Sequence, residues 1–162
     1  MTFDLQLIEP TQSREQAVEA LQTKALVSPV SSLANDYLNL FNELVMILEQ
    51  IPQMPELLDD LLAWRPLSYR EYFQSSKLPG RHSALHAYEQ LDAVFRRRFE
   101  TFVAELDVIA LASVASVRRQ FKDGAPEDMS RVTTTCVRAG EKMRIILIRA
   151  SRLVNYARLG DE

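Results

Sequence analysis

Apolar positions along this chain recur at the three- and four-residue spacing of helices and almost nowhere with the alternation of strands. Leu33, Tyr37, Leu40, Leu44, Ile47 and Ile51 form one such seam. Leu38, Phe41, Val45 and Leu48 widen it into a face too broad for a single partner. The spacing predicts a helix over 33–51, capped by Ser32 and ended by Pro52. Pro55 can open a short helix carrying Leu57, Leu58, Leu61, Leu62 and Trp64, because the first helical position needs no N–H. Ser68 and Glu71 stand three apart as in a capping box and predict another short helix through 75.

From Arg81 to Lys122 no Gly or Pro interrupts the chain. Leu85, Tyr88, Asp92, Phe95, Phe99, Phe102, Leu106 and Ile109 hold a heptad seam there, with one polar breach at Asp92. An unbroken helix of this span is about 60 Å long. Gly124 and Pro126 punctuate it, and a second seam follows through Met129, Val132, Cys136, Ala139, Met143, Ile146, Ala150, Leu153 and Ala157. A turn this short makes the two helices antiparallel neighbours. Their register sets Ala110, Ala112, Ser113, Ala115 and Ser116 against Thr133, Thr134, Cys136, Ala139 and Gly140. Phe95, Phe99 and Phe102 then meet Ile146, Leu147 and Leu153.

The predicted fold class is therefore all-α: a helical bundle built on a long antiparallel hairpin over 81–122 and 127–159, with shorter N-terminal helices. One domain spans 1–162, with 1–30 an N-terminal arm and 31–160 the bundle. In the arm, Phe3, Leu5 and Leu7 alternate briefly before Pro10, a weak strand signal. Ser13 with Gln16, then Ala17, Val18, Leu21 and Ala25, predict a short helix, and 27–30 reads as a connector around Pro29.

Composition narrows the class without naming a function. A chain of 162 residues that is 47% hydrophobic and 25% charged can bury a core without metal or disulfide staples. Cys136 is the only cysteine, which suits a reducing compartment. Asp4 and Pro10 spoil a secretory signal, and the apolar run 108–117 is far short of the roughly 20 residues a bilayer requires. The expectation is a cytoplasmic protein with no membrane contact. Net charge is −3, yet residues 1–80 carry 5 Lys/Arg against 11 Asp/Glu and residues 81–162 carry 14 against 11. That asymmetry fits either a basic interaction surface or an acidic half packed on a basic one.

Few constellations carry chemistry. His82, His86 and Glu89 share a helix face at i, i+4 and i+7, a spacing from which imidazole and carboxylate can reach one metal ion. The chain has no other His and no Glu-x-x-His pair, so no cofactor or metal is expected. Arg96, Arg97, Arg98, Arg118 and Arg119 lie on the first long helix; Arg131, Arg138, Lys142, Arg149 and Arg152 run along the second. Together they could neutralise nucleic-acid phosphates, although interspersed carboxylates dilute the field. Cys136 sits on a seam and reads as a small buried residue. Asp92 reads as a register or pairing device within its seam. Trp64, Tyr69, Tyr72 and Phe73 read as a cap over the bundle's end. No phosphate-binding glycine loop, nucleophile elbow or zinc spacing is present in the sequence.

Ile145, Ile146, Leu147 and Ile148 are consecutive on a helix and so point in directions about 100° apart. One neighbouring helix cannot cover all of them, which marks 145–148 as a partner interface, with a homodimer the expected partner. The sequence leans away from an enzyme. It favours a non-enzymatic helical-bundle interaction or adaptor protein. The alternatives are a nucleic-acid-associated bundle using its C-terminal basic faces and a metal-dependent enzyme using His82, His86 and Glu89.

Overall fold

Helix after helix, with no strand among the described residues, makes up the computed structural model, which describes residues 13–18, 21 and 26–157. Its helices are α1 (Asn39–Gln50), α2 (Leu58–Ala63), α3 (Tyr69–Ser75), α4 (Arg81–Glu89), α5 (Ala93–Gln120) and α6 (Ser130–Tyr156). Short 3-10 turns at Asn35–Leu38 and Pro55–Leu57 lead into α1 and α2. Residues 13–18 and Leu21 are helical, and Val18 and Leu21 on that segment are exposed. The alternation at 3–7 lies outside the described residues.

The hairpin is present: α5 and α6 form the most extensive helix pair, and α1 packs next against α6. Gly124 makes the turn with φ +94, a left-handed conformation that L side chains adopt only under strain. The first arm is shorter than the sequence predicts. Asp92 breaks the 81–122 helix, because its carboxylate accepts from the backbone N–H groups of Val94 and Phe95 at 3.1 Å each. It is the N-cap of α5, at φ −51 and ψ 134, and not a pairing residue inside a seam. The break turns α4 away from the hairpin and onto α3.

Ser32 likewise does not cap the first helix. It sits at φ 60, and the chain reaches α1 only through the 3-10 turn at Asn35–Leu38, whose N-cap Ala34 makes no side-chain cap bond. Ser68 does cap α3, accepting from Glu71 N–H at 3.1 Å as the capping-box spacing predicts.

The core runs through all these elements. Phe41, Leu44, Val45 and Leu48 of α1 are buried, as are Phe99, Leu106, Ala110 and Val117 of α5 and Val132, Cys136, Met143 and Ala150 of α6. Tyr69 and Phe73 belong to this core and are not a lid on it. The Tyr69 ring stacks on Tyr88 at 4.3 Å and meets Phe73 at 4.7 Å and Phe99 at 5.9 Å. Three buried aromatic tips find partners: Tyr37 donates to Leu67 O, Trp64 Nε1 to Leu40 O, and Ala34 N–H to the Tyr69 hydroxyl.

Candidate interaction surfaces

His82, His86 and Glu89 all lie exposed on α4, the helix displaced by the break at Asp92. The Glu89 carboxylate lies 3.8 Å from the Arg70 guanidinium on α3. No group of three or more His, Cys, Asp or Glu among the described residues is placed to hold a metal ion. Cys136 is buried on the hairpin seam, and burial pushes its thiol up to about 11, so it is a packing residue. Burial also raises Tyr37, Tyr69 and Tyr88 well above the ordinary phenol value, which keeps their hydroxyls protonated.

The basic residues divide. Arg96 is half-buried, 5.9 Å over the Tyr88 ring and 3.7 Å from Glu100, so its charge is spent inside the fold. Arg97 and Arg98 are exposed near the start of α5, and Arg118 and Arg119 near its end. Helical rise separates the two clusters by about 30 Å. On α6, Arg131, Arg138, Lys142 and Arg149 are exposed at spacings of seven, four and seven, which places them on one stripe. Arg138 and Lys142 border a cavity of about 420 Å³ along the hairpin, floored by Ile109, Ala112, Ser113 and Ala139. Of the small residues predicted to meet, Ala112, Ser113, Ser116, Thr134 and Ala139 line it together, and Gln120 Nε2 donates to Thr135 Oγ1 across the helices at 3.0 Å. Thr133 is exposed, and Gly140 looks elsewhere. It faces α1, where a Cβ would lie 3.8 Å from Glu49 and 3.9 Å from Val45.

The 145–148 run is split by α1. Ile146 and Leu147 are buried within the chain, whereas Ile145 and Ile148 remain 54% and 53% exposed. Arg144 beside them is anchored to α1, its guanidinium donating twice to Glu49 Oε1, at 2.8 and 2.6 Å.

A wide groove among the described residues was not predicted from the sequence. It holds about 940 Å³ between α1 and α2. Leu40, Met46, Ile47, Leu57, Trp64 and Leu67 supply apolar walls, while Glu43 and Asp60 stand on opposite sides. Among the described residues Arg65 is the one cation lining it, and its Nη1 donates to the Leu62 and Trp64 carbonyls at 2.7 and 3.0 Å. Only a diffuse charge signal bears on it: residues 33–68 hold six carboxylates against Arg65 alone.

No protein-family model, curated protein or solved structure matches this chain.

Proposed function

We propose that this chain is a non-enzymatic interaction protein, a helical-bundle adaptor that docks a cationic amphipathic helix of another protein between α1 and α2. One observation carries the reading: this groove combines apolar walls with a carboxylate rim, and the one cation lining it among the described residues is tied to backbone carbonyls. The α1 wall runs from Asn39 to Gln50, about 17 Å of helical rise, which suits three turns of a bound helix. Met46 is 56% exposed in it, a flexible thioether able to fit varied apolar side chains. Burying apolar area at about 25 cal/mol per Å² supplies affinity, while exposed ion pairs at roughly 0.2–1 kcal/mol each select a basic partner over an acidic one.

Trp64, the only tryptophan, reports on the groove from its wall. A tryptophan-free Leu/Lys amphipathic peptide of about 14 residues, long enough to cover that wall, should change its emission saturably. A Leu/Glu counterpart should bind at least ~10-fold more weakly, and Met46→Arg should weaken the Lys peptide similarly. Equal binding of both peptides, or binding indifferent to Met46→Arg, would remove the proposal.

A second reading is favoured by the stripe of Arg131, Arg138, Lys142 and Arg149, a spacing that tracks a polyanion such as nucleic acid. It requires binding to mixed-sequence RNA or DNA that falls steeply with salt and loses about one unit of log–log slope for each of these cations neutralised.

A further inference from the structure

The outer face of α6 carries a sequence palindrome. Val137, Glu141, Ile145, Ile148, Arg152 and Tyr156 follow one another at spacings of four, four, three, four and four. At about 100° per residue these positions form one stripe. All six are exposed, with Val137 at 45% and Tyr156 at 78%. The stripe reads apolar, acidic, apolar, apolar, basic, apolar, and its midpoint falls between Ile146 and Leu147, which are buried on the opposite side. The side chains of Glu141 and Arg152 make no ion pair or hydrogen bond with another described residue.

We infer that this stripe is a self-recognition surface, on which α6 of a second copy packs antiparallel about a two-fold axis through the midpoint. In such a pair each residue meets the one equally far beyond the midpoint on the partner helix. Ile145 then meets Ile148 in both directions. Glu141 meets Arg152 twice, and Val137 meets Tyr156 at both ends. Every apolar side chain gains an apolar partner, and every charge gains its opposite. A parallel pairing keeps the apolar matches but not the charge matches, because it sets Glu141 on Glu141 and Arg152 on Arg152. Arg144 and Arg149 flank the stripe on its two edges and face each other across the pair, and Glu49 already holds Arg144. The face is separate from the α1–α2 groove, so self-association and peptide docking stand or fall independently.

Sedimentation equilibrium of the full chain tests the inference. The expected result is a species of twice 18.5 kDa at micromolar concentration. Ile148→Glu should raise the dissociation constant at least ~30-fold, and Glu141→Arg and Arg152→Glu at least ~5-fold each. The double variant Glu141→Arg with Arg152→Glu restores the charge pairing with the signs exchanged, so it should dimerise more tightly than either single variant. All these side chains are exposed, so the variants should keep the parent's helical circular dichroism and melting temperature. A monomer at ~100 µM overturns the inference. So does a dimer unmoved by Ile148→Glu, or a double variant no tighter than the singles.

Discussion

The hydroxyl of Ser31 donates to the main-chain oxygen of Val154, joining the loop before α1 to the last turn of α6 across 123 positions of sequence. The carbonyls of a helix's last turn have no partner further along the helix. The loop supplies one here, and Asn35 supplies another contact by donating to Asn155. Ser31 also accepts from Leu33 N–H at 3.2 Å and is fully buried. Ser31→Ala therefore strands a donor and an acceptor away from water and should cost about 1–3 kcal/mol in urea unfolding. Ser31→Thr keeps the hydroxyl and should lose less. An Ala variant as stable as the parent would show that water replaces both bonds.

Asp92 gives a prediction whose sign separates two descriptions of the same segment. If 81–122 were one helix, Asp92→Ala would stabilise it, because Ala is the better interior residue. As the N-cap of α5, Asp92 satisfies two orphan N–H groups, and Asp92→Ala should destabilise by about 0.5–2 kcal/mol. Asp92→Asn should be close to neutral. Thermal melts of the three proteins decide between the two.

Helix identity and the hairpin were legible in the sequence because they rest on repeated spacing and on the Gly124 turn. The misplaced boundaries share a physical cause. Asp92 and Ser32 are residues whose role depends on backbone angles, and a hydrophobic pattern carries no information about those. Gly140 was placed by hairpin register on the side of α5, but α1 also packs on α6 and takes that position. The groove between α1 and α2 was illegible for a related reason. Its walls join Met46 to Trp64 across a 3-10 turn, and only the angle between two short helices leaves the space open.

Gly140 also leads to a stabilising substitution. It lies inside α6, where Gly costs about 0.8–1.0 kcal/mol relative to Ala. An added Cβ would meet Glu49 and Val45 at 3.8–3.9 Å, ordinary van der Waals contact that displaces nothing. Gly140→Ala should therefore stabilise by roughly 0.5–1 kcal/mol and raise the melting temperature by about 1–4 °C. A bulkier Gly140→Leu should push on the Glu49–Arg144 pair and lose the gain.

Asp107 carries the pH dependence. It is half-buried on α5, and its Oδ1 is buried with no hydrogen-bond partner among the described residues. Burial raises its carboxyl above the ordinary value, because the charged form loses water. An acid whose folded value is raised penalises the folded state wherever it is ionised. The penalty is full above the folded value and is lifted as pH falls through it. Asp107→Asn removes the charge and should raise the melting temperature at pH 7. The advantage should shrink as pH falls through the raised value of that carboxyl, where the parent takes up its own proton. Tyr37 gives a second readout, because the Asp107 charge adds to the burial that raises its hydroxyl. Removing that charge should let Tyr37 ionise at lower pH in an alkaline absorbance titration. An Asn variant whose advantage holds constant or grows on acidification would assign the effect to packing and not to the buried charge.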